Sequence, residues 1–429
     1  MRKCDVMKGA ALIIMACVLF ACHDGKVNAP ALLLAEKIME EHPDSALTIL
    51  KQIPDSFYTT DQEKALYGLL LTEAMDKTFA IHTTDSLIAT AVHYYDRTPD
   101  MMHKAKAWYY LGRVSQDLLR SEKALECYLE AIPYAEKSKK YKLLALIYNH
   151  SGNLYRQQEI CDKALKNINK AYKYFVLVGD SSNLPYVLRD IGRTYSFLEK
   201  PDSAFYYYFK ALKIAEHQAN FKAKGTVLND VGTTYRQIGD YPTAINVIRS
   251  SIPYRNGIDK DGGYLSLARI YYELGQLDSS SYYLDNIQNS SSVFVQKSVA
   301  YFKYKICINK YDYQQAIDYN ERYQELKDSI NYGEQKIKVL NLNYAHEQQQ
   351  LKDKMEFQAS KDRFLYICFI FALLIVIMLG GYWYIRSRWV HEQILRIQEK
   401  KIQHEKDLRL QSVEQLRENM YQIELNRKR

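Results

Sequence analysis

Apolar residues recur at helical spacing along most of this chain. Ala35, Ile38, Met39, Ala46, Leu47, Leu50 and Ile53 set the pattern near the N-terminal end. It sharpens between Ala105 and Asn256, where Gly112, Gly152, Gly192 and Gly232 stand forty residues apart. Ala124, Ala164, Ala204 and Ala244 each follow a glycine by twelve residues, and Tyr155, Tyr195 and Tyr235 follow the last three by three. Self-similarity at a fixed period predicts a solenoid of helix pairs. Glycine in the first helix and alanine in the second let the two pack closely. Tyr128, Tyr208, Ala131, Ala171 and Ala211 then fill the space to the next pair.

The pattern decays on both sides. Residues 31–104 read as degenerate pairs, with helices over Gln62–Asp76 and Asp85–Tyr95, and residues 105–256 as four full repeats. Residues 257–328 read as two weaker pairs, in which Ala268 takes the glycine position and Ala316 the second-helix alanine. Atypical outer repeats are expected where a solenoid is capped. Pro43-Asp-Ser-Ala46 returns at Pro201–Ala204, and Asp278-Ser279-Ser280 echoes it. Proline at a helix start and acid in the first turn mark these as beginnings of second helices. Asp259-Lys-Asp261-Gly262-Gly263 has a faint look of a calcium loop, but Ile270 stands where the chelating carboxylate belongs. It reads as a turn between repeats.

Residues 329–363 predict a long polar connecting helix, with Ile337, Leu340, Tyr344 and Leu351 as a thin apolar stripe. Phe364–Ile385 follows without a charge. At about 1.5 Å per residue that length spans a hydrocarbon core of about 30 Å. Tyr366, Tyr382, Trp383, Tyr384 and Trp389 put aromatic rings near its ends. Arg386, Arg388, Arg396, Lys400 and Lys401 come next, and the positive-inside rule assigns that side to the cytoplasm. In the tail, residues 386–429, Val413, Leu416, Met420 and Ile423 keep a four-three rhythm that Leu395 and Ile402 extend. This predicts a short coiled coil pairing two copies of the chain, with a lone solvated helix as the alternative. The basic residues beside the membrane suit anionic lipid.

At the other end, residues 1–22 combine Arg2, Lys3 and Lys8 with the apolar run Gly9–Ala21, too short to span a bilayer but suited to secretion. Leu19-Phe20-Ala21-Cys22 resembles a bacterial lipobox, with Cys22 as the lipidated residue; an ordinary cleaved signal is the alternative. A leader outside and a basic C-terminus inside give one topology: repeats in the periplasm, tail in the cytoplasm.

Composition adds little. The 38 tyrosines serve as packing aromatics with a wet hydroxyl end. A net charge of +8 is too diffuse to argue for nucleic acid. Seven cysteines without a CxxC give neither a disulfide framework nor a zinc site. No HExxH, G-x-S-x-G, phosphate loop or Gly-rich nucleotide fingerprint is present, so no enzyme activity and no cofactor are expected.

Trp108-Tyr-Tyr-Leu111-Gly112 and the alanines resemble the tetratricopeptide repeat (TPR), although Ser115 replaces a Tyr and the period exceeds the usual thirty-four. The resemblance implies an all-α fold, a TPR-type α-solenoid followed by a long helix, a membrane helix and a coiled coil. It also implies that positions five, nine and twelve of each repeat line a concave face. With the glycine at eight, these are Tyr109, Arg113 and Gln116; Asn149, Asn153 and Arg156; Arg189, Arg193 and Ser196; and Asn229, Thr233 and Arg236. No acid is among these twelve. Asn149 with Asn153 and Arg189 with Arg193 stack at i, i+4 as a ladder of donors suited to a peptide backbone or carboxylate. The alternative is a consensus surface that binds nothing in particular.

The whole order of segments resembles bacterial membrane-anchored TPR sensor-regulators, without the helix-turn-helix or kinase that usually ends them. The reading is a periplasmic receptor for a protein or peptide that reports to a cytoplasmic partner and binds no nucleic acid itself. A passive envelope scaffold and a truncated transcriptional regulator are the alternatives.

Overall fold

The computed structural model describes residues 28–54, 60–255, 257–287, 290–330 and 332–427. The leader with Cys22 therefore lies outside the described residues. Seventeen α-helices and no strand occur among the described residues. The outer N-terminal pairs are α1 (Asn28–Ile38) with α2 (Pro43–Lys51) and α3 (Asp61–Lys77) with α4 (Ser86–Tyr95). Four central pairs follow: α5 (Met101–Asp117) and α6 (Ser121–Lys137), α7 (Tyr141–Gln157) and α8 (Cys161–Leu177), α9 (Leu184–Phe197) and α10 (Pro201–His217), α11 (Phe221–Gln237) and α12 (Tyr241–Ser251). Then come α13 (Gly257–Glu273) and α14 (Leu277–Asp285), α15 (Val293–Asn309) and α16 (Tyr313–Ile330), and the long α17 (Tyr332–Arg427).

The forty-residue period is two beats of twenty. Leu119, Lys139, Glu159, Gly179, Glu199, Ala219 and Gly239 all have positive φ, between 51° and 85°, and each lies just past a helix end. At the first, the Leu119 N–H donates to the Gln116 carbonyl and the Arg120 N–H to the Ser115 carbonyl. That is the Schellman pattern, which satisfies the last carbonyls and reverses the chain. Most of these caps are not glycine, so the left-handed residue costs free energy at each of them.

The glycines sit where the sequence pattern requires. A Cβ on Gly112 or Gly192 would lie 2.5 Å from Cε1 of Tyr128 or Tyr208, on the second helix of the same pair. Gly152 and Gly232 face Ile168 and Ile248 equally closely. Ala124, Ala164, Ala204 and Ala244 are fully buried. Gly68 plays the same part in α3, where a Cβ would meet the Leu87 carbonyl oxygen at 2.6 Å. The four described cysteines are free thiols.

One difference from the sequence reading stands out. Asp259–Gly263 is helical, part of α13, because the preceding turn is made earlier, at the 3₁₀ segment Ile252–Tyr254. The connecting helix, the apolar stretch and the tail form one helix without a break, since charge content can change along a helix without interrupting its backbone hydrogen bonds.

The chain divides into two compact units, residues 1–343 and 344–429. In the first, the N-terminal end is clasped by ion pairs. Glu40 takes Lys77 at 2.6 Å and Lys142 at 2.8 Å, and His103 stands 2.9 Å from Glu36 with Asp100 on its other nitrogen. In the second unit, residues 364–385 are exposed throughout, and α17 is long and apolar enough to cross a membrane.

The exposed caps give a direct test of the twenty-residue beat. Lys139→Gly and Glu199→Gly should each raise unfolding stability by up to about 1 kcal/mol, and Gly179→Ala should lower it similarly. Urea unfolding reads this; a loss from both glycine substitutions would remove the caps from the account.

Candidate functional site on the concave face

The first helices α5, α7, α9 and α11 carry the candidate residues, and the forty-residue period brings equivalent positions of successive repeats into one row. At its centre is Asp190, at position six of its repeat and almost fully buried. It accepts from Asn153 Nδ2 at 2.6 Å, from Arg189 Nη2 at 2.9 Å and, at 3.5 Å, from Asn149 Nδ2. Arg193 Nη1 stands 3.9 Å away. Asp230, one repeat on, lies 3.5 Å from Nε of both Arg189 and Arg193. Burial pushes the Asp190 carboxyl up, but Arg189, Arg193, Arg156 and the Asn153 amide outweigh it and hold it at about 2.

The donor ladder is therefore folded inward on carboxylates, where an open row was expected. Asp190 and Asp230 sit two residues before the glycines, a position outside the presumed groove set. The signal that could have found them is their own forty-residue recurrence. His150 and Tyr110 replace them in the two preceding repeats.

Five candidates converge here: Asn149, Asn153, Arg156, Arg189 and Arg193. Arg156 differs from the other two arginines, because no carboxylate among the described residues lies within ion-pair distance of it. Its Nη2 donates to Asn153 Oδ1 at 3.2 Å, while its enclosed Nε has no hydrogen-bond partner. Burial, then Arg193 and Arg189 nearby, pull its guanidinium down to about 10, still charged at neutral pH. The Oδ1 atoms of Asn149 and Asn229 are also buried without partners. Three guanidinium groups against two carboxylates leave the row one positive charge in excess, together with unused amide acceptors.

Of the remaining candidates, Asn229 keeps its unpartnered amide oxygen on α11, and the two arginines are engaged elsewhere. Arg113 pairs with Asp76 at 2.9 Å, and Arg236 with Glu273 at 2.9 Å. Arg113 borders a cavity of about 250 Å³ shared with His150, Asn153 and Gln158 and roofed by Phe294 and Ile330 from α15 and α16. Burial, then Arg113, drives His150 well below its usual value, so it is neutral. No cluster of potential metal ligands occurs among the described residues.

Comparison with known proteins fits this geometry. The family model described as tetratricopeptide repeat matches residues 143–217. The array is a TPR-like α-solenoid. Its solved neighbours include a Rap protein complexed with competence and sporulation factor, at 12% identity and TM-score 0.52, covering 75% of this chain and 98% of that one. NprR in complex with its cognate peptide NprX is similar at 16% identity and TM-score 0.52, covering 70% and 87%. At such identities the likeness shows the fold. No curated protein sequence matches significantly.

The Asp190 carboxyl is held below its ordinary 3.8, so it adds stability above that pH and loses it as pH falls towards about 2. Asp190→Asn should cost about 3 kcal/mol at pH 7, because it strands Arg189 and Arg193 beside an uncharged group. The gap from the native chain should narrow over that acid range. An unchanged urea midpoint at neutral pH would contradict the network.

Proposed function

We propose that this chain is a membrane-anchored receptor whose TPR array captures a peptide or protein segment and reports its presence through α17. The carrying observation is Arg156, with no carboxylate at ion-pair distance among the described residues and hydrogen-bonded to Asn153, in a row that also holds the unpartnered amide oxygens of Asn149 and Asn229. A carboxylate answers the first and backbone N–H groups answer the others, and a peptide carries both. The two solved neighbours are complexes, one with competence and sporulation factor and one with a cognate peptide, which supports the same reading. The array faces the periplasm, the apolar part of α17 spans the inner membrane, and the basic tail meets anionic lipid and a cytoplasmic partner. The tail's apolar seam pairs two copies.

Arg156→Ala and Asn149→Ala remove the groups assigned to the ligand and leave Asp190 its closer contacts to Asn153 and Arg189. A photo-crosslinker at Thr233 should capture a defined periplasmic polypeptide, and either substitution should cut its yield at least tenfold with the melting temperature little changed. Equal yields from native and substituted chains would remove the row from partner binding. A scaffold would lose capture too, but only a receptor would also change what the tail recruits.

Topology has its own check. A reporter fused after Arg429 should be active in the cytoplasm, and activity confined to the periplasm would overturn the orientation.

A further inference from the structure

Phe294 and Ile330 roof the cavity beside Arg113 and Asn153, and α17 begins two residues after Ile330. In α17, Val339 is fully buried within the apolar cluster of α3 to α9, and Leu342 packs on that same cluster. The Tyr155 hydroxyl donates to Asn343 Oδ1 at 2.7 Å, across 188 residues of sequence. Lys338, Leu340 and Asn341 are exposed. Residues 339, 342 and 343 are at i, i+3 and i+4, one face of one helical turn.

We propose that this turn is a built-in occupant of the array, a helical self-ligand. The surface around Tyr155 takes an amphipathic helix with aliphatic residues at i and i+3 and a side-chain acceptor at i+4. An incoming helix of that chemistry competes with Val339–Asn343. The proposal deepens the receptor reading and rests on it for the external partner, though not for the self-contact.

The size of the contact suits exchange. Among residues 338–343 of α17, Val339 is buried and Leu342 and Asn343 are half-buried, so the described contact is one helical turn. The helix that carries Val339 and Asn343 is the same one that runs on from Tyr332 to Arg427. Tyr155 neighbours Arg156, so a ligand on the charged row and the self-ligand meet at adjacent residues of α7.

The test uses the full chain in detergent micelles and a fluorescent, helix-stapled peptide of residues 336–347. Val339→Asp with Leu342→Asp vacates the surface, and this double variant should bind the peptide at least tenfold more tightly than the native chain. Adding Tyr155→Phe should take back several-fold of that gain. Should the double variant fail to fold, Asn343→Leu alone decides, with a gain of about threefold expected. Equal peptide binding by native and folded substituted chains would overturn the self-ligand. Loss of Thr233 crosslinking on Arg156→Ala is independent of this result, so the two readings fail separately.

Discussion

Contact between a glycine on one helix and a tyrosine or isoleucine on the next is the constraint from which the array follows. At Gly112, Gly152, Gly192 and Gly232 the second helix sits so near that no side chain fits between. Buried alanines complete the contact twelve residues on. With the approach of each pair fixed, left-handed caps every twenty residues fix its length and turn. Successive pairs then stack alike, and equivalent positions of α5, α7, α9 and α11 fall into a row. A binding surface is thus a consequence of packing, before any residue on it is chosen for a ligand.

What the row carries is decided by charge balance. Three arginines and two asparagines converge, yet all of them except Arg156 hydrogen-bond or ion-pair with Asp190 or Asp230. Buried guanidinium groups need such partners, because an uncompensated charge away from water is costly. Arg189 and Arg193 therefore read as structural cations that set the spacing between repeats. Arg156 is the one whose charge is left over, and the amide oxygens of Asn149 and Asn229 lack donors. The surface is preorganised by its own ion pairs and keeps a small remainder for a ligand.

The repeat was legible because glycine and alanine recurring at a fixed interval mark close helix packing directly. Starts of second helices were legible too: Pro43, Pro201 and Asp278 lie at the starts of α2, α10 and α14. The site was legible only as a list of donors. Asp190 and Asp230 escaped because an acid one residue from a groove position looks like surface, and only the folded row shows Asp190 nearly buried among the guanidiniums. The contact of Val339 and Asn343 with the array had no local signal at all. It joins residues 188 apart, and the apolar stripe of α17 does not say what it meets. The Asp259–Gly263 turn failed for the opposite reason, since glycines and aspartates suited to a turn were absorbed into the first turns of α13.

The glycine contact is tested by the sign of one substitution. In an ordinary helix interior, glycine to alanine stabilises by about 1 kcal/mol. At Gly192 the added methyl carbon would stand 2.5 Å from Tyr208, so overpacking should reverse the sign. Urea unfolding of Gly192→Ala should show a loss of about 1–3 kcal/mol. A gain of about 1 kcal/mol would mean that the helices are not held at this distance, and the account of the array would fail with it.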